Sequence, residues 1–198
     1  MAGKLIVISG ASGVGKSTVL KEVMKRCENL HFSVSATTRP IRPGEIDGVN
    51  YLFMDNEAFQ KLIDNDELLE YAEYVGNYYG TPEKPLNDAL SQGNDILLDI
   101  EVQGGANVKR RREDAVLIFL VAPSLQELKH RLLNRGDTAP ELCEKRLKQA
   151  QWEYKQAFNY DYIVVNDTVE KAANEIISII TAEKCKAKNR LNYLKEDL

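Results

Sequence analysis

The feature that most constrains the fold is a glycine-rich stretch that follows the apolar run Leu5–Ile8 near the N-terminus. It fits the pattern G-x-x-x-x-G-K-[S/T], whose defined positions here are Gly10, Gly15, Lys16 and Ser17. In such a loop, successive backbone N–H groups point inward and cradle phosphate oxygens, with dihedral angles that glycine adopts at little cost. The helix that follows adds the positive end of its dipole. The pattern therefore predicts a strand, a phosphate-binding loop and a helix that bind a nucleoside triphosphate.

The side chains of this loop have separate predicted roles. The Lys16 ammonium can reach the outer phosphates, and the Ser17 hydroxyl can be a ligand of Mg²⁺. A glycine-rich turn without a ligand is the alternative, which the preceding strand disfavours. The predicted triphosphate-binding residues of the loop are Gly10, Ala11, Ser12, Gly13, Val14, Gly15, Lys16, Ser17 and Thr18.

Composition limits the class of protein and its partners. The chain has 198 residues, 43% of them hydrophobic, which suits one α/β domain with a sizeable core. Its net charge of −4 argues against broad binding to nucleic acid or to a membrane surface, because both require a basic field. We therefore predict small anionic ligands, with neither a nucleic-acid nor a membrane partner.

Two further features predict a cytoplasmic location. No apolar run approaches the roughly 18 residues that cross a bilayer, and the first residues lead straight into a strand, which leaves no room for a signal peptide. The cysteines Cys27, Cys143 and Cys185 are scattered and lack C-x-x-C spacing, which suits a reducing compartment.

Strand and helix patterns alternate along the chain. The predicted strands are Lys4–Ser9, Phe32–Ala36, Tyr51–Met54, Leu68–Val75, Asp95–Ile100, Ala115–Ala122 and Tyr162–Val165. The predicted helices run from the phosphate loop to about Arg26, over Glu57–Ile63, Glu83–Gln92, 125–133 and Glu141–Phe158, and from about Val169 towards the C-terminus. Residues 77–80 are predicted to form a turn and residues 134–140 a loop, and the predicted helix caps are Ser124 and either Asp55 or Asn56.

This alternation predicts a P-loop α/β fold, in which a parallel sheet with right-handed crossovers is flanked by helices on both faces. Short strands interrupt the alternation from about residue 35 to 79, which indicates an inserted substrate-binding lobe, and the charged helices around residues 134–156 indicate a mobile lid. The predicted division is a single domain with a core of 1–34, 82–125 and 159–198, a lobe of 35–81 and a lid of 126–158.

A phosphate loop alone does not identify the acceptor of a phosphoryl group, because many enzyme classes share it. The next loop places Arg39 and Arg42 three residues apart between prolines. Two planar guanidinium groups there can bind one phosphate dianion bidentately, and Tyr51 and Tyr79 add phenolic donors. A solvated surface loop is the usual explanation for a single arginine, but it explains this set poorly.

At this point the chain resembles the guanylate kinase family along nearly its whole length. The stretches that carry the resemblance are Gly10–Thr18, Thr37–Glu45, Asp47–Phe53, Gly76–Thr81, Leu98–Gly104, Arg131, Arg135-Gly136, Arg146-Leu147 and Val165–Asp167. The resemblance implies a nucleoside monophosphate kinase that transfers the γ-phosphoryl group of ATP to GMP, and also to dGMP, with Mg²⁺. It places this activity in purine nucleotide metabolism.

The resemblance also assigns the substrate sites. It assigns the GMP phosphate to Arg39, Arg42, Tyr51 and Tyr79, and the guanine to Ser35, Glu70 and Thr81 with Asp99 nearby. It adds Glu45 to the GMP-binding set and Asn166 to the ATP-binding set. Chemistry supports Glu70, since a carboxylate can accept from both N1–H and the 2-amino group of guanine, which adenine cannot offer. From the residues alone Glu70 is an exposed strand residue like Glu73, and only the resemblance selects it.

Two assignments remain open from the residues. Asp99 ends an apolar strand, where an acid is costly unless it is paired or near a metal. It either holds Mg²⁺ through water or contacts the nucleotide, and Glu101 competes for the metal role.

The predicted catalytic set contains one lysine and five arginines: Lys16, Arg39, Arg42, Arg131, Arg135 and Arg146. Arg131, Arg135 and Arg146 match the family's lid and are predicted to swing in on closure, against the alternative of a solvated helix face.

Two other functions compete with this prediction. One is an interaction module with the same fold, which the intact phosphate loop disfavours, and the other is a kinase of another nucleoside monophosphate. The sequence is compatible with a homo-oligomer but does not indicate one.

Overall fold

The computed structural model describes residues 2–74, 76–133 and 140–194. Within these residues the strands are β1 (Leu5–Gly10), β2 (Leu30–Phe32), β3 (Ala36–Thr37), β4 (Leu52–Phe53), β5 (Leu68–Tyr74), β6 (Asn77–Pro82), β7 (Asp95–Asp99), β8 (Val116–Val121) and β9 (Tyr162–Val165). The α-helices are α1 (Lys16–Arg26), α2 (Asn56–Asp64), α3 (Glu83–Ser91), α4 (Val102–Arg111), α5 (Leu125–Leu133), α6 (Pro140–Gln156), α7 (Val169–Cys185) and α8 (Ala187–Arg190), with 3₁₀ turns at Ala157–Asn159 and Leu191–Leu194.

The central sheet contains five of the described strands in the order β2-β7-β1-β8-β9, and every pair in it is parallel. Side chains of β1 alternate between two cores: Ile6 and Ile8 pack with α1 and α7, whereas Leu5 and Val7 pack with α3 and α4. Both faces of the strand are therefore buried, which explains its uninterrupted apolar sequence. The predicted parallel sheet with helices on both faces is confirmed.

A second, smaller sheet lies between β2 and α3 in the sequence, where the predicted lobe begins and ends. Its strand order is β4-β3-β6-β5, with β3 and β4 parallel and the other neighbours antiparallel. Ala36, Phe59 and Leu68 form its own buried cluster, in which α2 covers the sheet. Arg111 of α4 donates from both terminal nitrogens to Asp66, at 2.7 and 3.1 Å. Because Asp66 lies in the turn before β5, this ion pair connects the small sheet to the core.

Three secondary-structure predictions were wrong, each where distant contacts override the local pattern. The single strand Phe32–Ala36 is two strands, because Phe32 pairs with Leu97 of the central sheet and Ala36 pairs with Gly80 of the small one. Residues 77–80 belong to strand β6, and the chain reverses just before them at Gly76, whose φ is 72°.

The third miss is helix α4, which the prediction left without an element. Its sequence contains Gly104 and Gly105, residues that lower helix propensity. A Cβ at position 105 would lie 2.4 Å from the Tyr160 hydroxyl oxygen, so close packing requires a glycine there. The C-terminal helix is also shorter than predicted, since α7 ends at Cys185 and a separate turn, α8, follows.

Two predicted helix caps are confirmed. Oδ1 of Asp55 accepts a hydrogen bond from the Ala58 N–H at 2.7 Å, and Asn56 is then the first residue of α2. Oγ of Ser124 accepts from the Glu127 N–H at 3.0 Å. Over the parts of the chain that the structure describes, no helix is long and apolar enough to cross a membrane.

Candidate active site

The phosphate loop connects β1 to α1 at the carboxyl edge of the central sheet, where ligands bind in folds of this kind. Gly15, directly before α1, has a φ of 88°, which residues with a Cβ adopt only under strain. Gly10 meets a different requirement: a Cβ there would lie 2.5 Å from the carbonyl oxygen of Leu120 on the neighbouring strand. Both motif glycines are thus explained by the backbone that the loop needs.

Two side chains from later in the chain form hydrogen bonds to the backbone of the loop. Asn166, which is buried, donates from Nδ2 to the carbonyl oxygen of Val14 at 2.7 Å. Arg131 donates from Nη1 to the same carbonyl at 3.4 Å and from Nη2 to the Asn166 carbonyl at 3.0 Å, while its Nε donates to Glu127 at 2.8 Å. Asn166 and Arg131 therefore position the loop backbone through Val14.

Lys16 and Asp99 form an ion pair across the front of the site, with Nζ and Oδ1 separated by 2.7 Å. The Asp99 side chain is 37% exposed and that of Lys16 is 18% exposed. The sequence predicted an acid at the end of a buried strand, and the structure shows that Asp99 lies at the exposed end of that strand and is paired. The pair links the phosphate loop to the cavity beyond it.

That cavity has a volume of about 400 Å³ and lies between the small sheet and the carboxyl end of β7. Five of the residues that the sequence assigned to the acceptor contribute to its lining: Ser35, Tyr51, Glu70, Tyr79 and Asp99. Since Asp99 also pairs with the loop lysine, the cavity and the phosphate loop share one boundary.

Glu70 is the buried carboxyl group of the cavity, with 9% of its surface exposed, whereas Glu73 on the same strand is exposed. Its Oε1 accepts a hydrogen bond from the Thr81 hydroxyl at 2.7 Å. Burial raises the pKa of the Glu70 carboxyl above its ordinary value of 4.5, and the bond from Thr81 partly opposes that rise. The structure thus provides the reason to prefer Glu70 over Glu73 that the residues alone lacked.

Arg39 packs against Tyr51 of the cavity lining, with its side chain 10% exposed. Its guanidinium forms a two-pronged ion pair with Glu45, in which Nη2 donates to Oε1 at 2.7 Å and Nη1 donates to Oε2 at 3.0 Å. The Cζ atom lies 5.4 Å from the ring centroid of Tyr51, and the Tyr51 and Tyr79 rings meet edge to face at 6.1 Å. Arg39 and the two phenols therefore converge as the sequence predicted.

Comparison with known proteins agrees with this geometry. The model of the guanylate kinase family matches residues 2–183. The chain belongs to the guanylate kinase family. A guanylate kinase of Thermus thermophilus is 55% identical over 184 residues, which cover 93% of this chain and 83% of that protein. Guanylate kinase of Carboxydothermus hydrogenoformans is 47% identical over 191 residues, covering 96% of this chain and 93% of that protein.

A solved guanylate kinase structure has the same fold. The crystal structure of guanylate kinase from Anaplasma phagocytophilum aligns with a TM-score of 0.75 and 37% sequence identity, covering 99% of this chain and 95% of that one. This structural match confirms the predicted α/β P-loop kinase fold. The family is one of nucleoside monophosphate kinases.

For some of the site residues predicted from the guanylate kinase resemblance, the structure shows no side-chain contact with the other predicted residues, or does not describe them. Arg42 is exposed, and its backbone N–H, not its guanidinium, is the group that binds Glu45, at 2.8 Å. Arg146 is half-buried on α6. Arg135 lies outside the described residues. The prediction that Arg131 swings in on closure needs correction, because Arg131 already contacts the loop backbone through Val14.

Sequence reasoning missed a buried carboxyl group, that of Glu153, which lies close enough to Lys16 of the phosphate loop for the two charges to interact. Glu153 of α6 is 6% exposed, and its Oε1 accepts from Gln149 at 3.1 Å while its Oε2 has no partner among the described residues. Burial raises the pKa of the Glu153 carboxyl, the charge of Glu101 raises it further, and Lys16 opposes both. Nothing in the periodicity separates Glu153 from the other charged residues of its helix, so no sequence signal identified it.

Proposed function

We propose that this chain transfers the γ-phosphoryl group of ATP to GMP, giving ADP and GDP. The observation that carries the proposal is the placement of a complete phosphate loop beside a cavity that holds a buried carboxylate, with an oriented arginine packed against Tyr51 of the cavity lining. The loop suits a triphosphate and the cavity suits a guanine nucleotide, and Asp99 lies at the boundary between them.

The donor side follows from the loop geometry. Backbone N–H groups of the loop and the N-terminus of α1 supply positive potential for the phosphates of ATP. Lys16 exchanges its partner Asp99 for the outer phosphates when the triphosphate binds. Asn166 is proposed to support this site through Val14.

The residues present fit a magnesium ion bound together with ATP. Ser17 is exposed at the start of α1, and the Asp99 carboxylate lies at the adjacent strand end, so both offer the hard oxygen ligands that Mg²⁺ prefers. In this proposal Ser17 is the direct ligand and Asp99 binds through water. When bound, Mg²⁺ would neutralise phosphate charge during transfer.

The acceptor side recognises GMP at its two ends. At one end Glu70, held by Thr81, accepts from N1–H and the 2-amino group of guanine, and Ser35 lines the same cavity. At the other end Arg39, with Arg42 and the two phenols, binds the phosphate. Adenine would leave Glu70 unpaired or repelled, which is the basis of the selectivity.

Transfer itself needs positioning more than covalent help. A phosphate oxygen of GMP attacks the γ-phosphorus in line, and the bond from that phosphorus to the bridging oxygen of ADP breaks. The attacking oxygen carries no proton near neutral pH, so no general base is required. Arg131 is proposed to stabilise the shifting charge from beside the loop, joined by Arg135 and Arg146 when the proposed lid of 126–158 closes over the proposed GMP-binding lobe of 35–81.

A coupled ADP-release assay with Mg·ATP tests this proposal, with GMP, dGMP, AMP, UMP and dTMP offered in parallel. We expect turnover with GMP and dGMP alone. Turnover with AMP or a pyrimidine nucleotide instead would be consistent with triphosphate binding at the phosphate loop. It would contradict the assignment of the guanine site. No turnover with any acceptor would favour an interaction module, which the intact loop argues against.

The location of the protein and the classes of partner that it lacks remain predictions from the sequence. The cytoplasmic prediction depends on the sparse cysteines, and the absence of nucleic-acid and membrane partners depends on the net charge. The substrates ATP and GMP follow from the proposed activity.

A further inference from the structure

The bonds that Arg39 makes to Glu45 and Pro40 use only one end of its guanidinium group. An arginine has five N–H donors, arranged as two forks that share the Nη2 nitrogen. Here Nη1 donates to the Pro40 carbonyl oxygen at 2.7 Å and to Oε2 of Glu45 at 3.0 Å, and Nη2 donates to Oε1 of Glu45 at 2.7 Å. These bonds use the end fork and the outer hydrogen of Nη1. The bonds to Glu45 and Pro40 do not use the side fork, which consists of the Nε–H and the second Nη2–H.

Both oxygens of the Glu45 carboxylate accept hydrogen bonds in this arrangement. Its Oε1 accepts from Arg39, and its Oε2 accepts from Arg39 and from the Arg42 backbone N–H at 2.8 Å. The bonds to Arg39 and to the Arg42 N–H lower the pKa of Glu45, which keeps the group anionic. An anionic carboxylate with both oxygens engaged has no favourable contact to make with a phosphate dianion.

The rings beside Arg39 restrict it further. Its Cζ atom lies 5.4 Å from the Tyr51 centroid and 5.5 Å from the Phe53 centroid. The bonds to Glu45 raise the pKa of Arg39 against the opposing effect of burial, and a hydrogen bond with the Tyr79 side chain raises it further. The guanidinium is therefore held by aromatic rings as well as by two acceptors at one end. Such a group loses little conformational freedom when a ligand binds its remaining edge.

We propose that Glu45 is a positioning residue that does not contact GMP, and that it holds Arg39 so that the Nε–Nη2 edge receives the phosphate bidentately. The proposal rests on the proposed function, because it identifies the phosphate monoester of a nucleoside monophosphate as the ligand of that edge. It reassigns Glu45, which the sequence placed among the GMP-binding residues. The same carboxylate holds the Arg42 backbone and so sets the spacing between the two arginines.

The variant Glu45→Gln tests this role by keeping the size of the side chain. The amide can accept only one of the two guanidinium bonds, and its NH₂ group opposes the other donor. We expect the dissociation constant of GMP to rise about tenfold, and that of guanosine, which lacks the phosphate, to stay within about twofold. Calorimetry measures the dissociation constant of GMP, and displacement of bound GMP measures that of guanosine. The matched control is Glu73→Gln, which removes an exposed carboxylate from the same cavity and is expected to change neither.

Three outcomes would overturn the proposal. Equal losses for guanosine and GMP would mean that Glu45 contacts the nucleoside itself. Tighter GMP binding would mean that Glu45 only repels the phosphate, and unchanged GMP binding would mean that Arg39 needs no positioning.

A double-mutant cycle separates positioning from loss of folding. If Glu45 acts through Arg39, adding Glu45→Gln to an Arg39→Ala background changes GMP affinity by less than about twofold, whereas additive losses contradict the proposal. Thermal unfolding of each variant confirms that it is folded. Failure of the proposed function is recognised separately, because the unmodified protein would then show no turnover with GMP.

Discussion

At the scale of single residues, the proposed recognition of guanine depends on the ionisation of one buried carboxyl group, that of Glu70. Glu70 must be anionic to accept two hydrogen bonds from guanine, yet burial raises its pKa. A raised pKa in the folded state means that the folded protein binds this proton more tightly than the unfolded chain does. Its contribution to stability is therefore complete at low pH and is lost as the pH rises through the raised pKa.

The variant Glu70→Gln is expected to separate binding from stability. Without the charge, GMP affinity falls about 10- to 100-fold. The part of the acid-induced loss of affinity that protonation of Glu70 causes, at pH values above its ordinary pKa of 4.5, disappears as well. The unliganded protein becomes more stable at neutral pH, because no buried charge remains. Calorimetry of GMP between pH 5 and 8 and thermal unfolding measure these effects. A GMP affinity that depends on pH in the same way in both proteins would contradict the assignment, and Glu73→Gln is the matched control.

At the scale of elements, helix α4 shows how a segment of low helix propensity is retained for packing. Gly104 and Gly105 face different neighbours: a Cβ at 104 would lie 3.3 Å from Oε2 of Glu70, and one at 105 would lie 2.4 Å from the Tyr160 hydroxyl oxygen. The prediction from sequence failed here because propensity counts each residue alone, whereas the space at these glycines is limited in part by side chains 34 and 55 positions away.

Alanine at each of these positions provides a matched pair on one helix, with the same gain in propensity. Gly105→Ala is expected to destabilise the protein by about 1–3 kcal/mol, because the Tyr160 ring must move within the core. Gly104→Ala is expected to leave stability nearly unchanged and to raise the KM for GMP roughly tenfold, because it crowds Glu70. Denaturant unfolding and steady-state kinetics measure both. Equal effects of the two substitutions on KM would contradict this division of roles.

At the scale of the whole molecule, the site lies between parts of the chain that meet only through the fold. Lys16 and Asp99 are 83 residues apart in the sequence, and their ion pair spans the boundary between the loop and the cavity. Two anionic substrates must be brought together there, which requires positive groups to close around them and water to leave. Closure of the proposed lobe and lid over the bound substrates would meet both requirements.

Closure predicts that the protein becomes more compact when both substrate sites are filled. We expect the radius of gyration from solution scattering to fall on addition of GMP together with a non-hydrolysable ATP analogue, and to fall less with either ligand alone. The variant Lys16→Ala is the control, since it weakens binding of the analogue while leaving the cavity in place. An unchanged scattering profile with both ligands would contradict closure.

The sequence by itself determined the features whose cause lies within a short stretch of chain. The phosphate loop is such a feature, because contiguous backbone N–H groups form it, and so are the apolar strands of the central sheet and the caps at Asp55 and Ser124. The family resemblance added a proposed set of substrate-binding residues, whose motif positions are also local.

Only the tertiary structure decided how those residues are used. It buried Glu70 and left Glu73 exposed, and it paired Asp99 with Lys16. It also made Glu45 the two-pronged partner of Arg39. The physical reason is the same in each case: burial, charge pairing and the direction of a hydrogen-bonding edge depend on neighbours supplied by the folded chain, and a local pattern of residues does not contain them.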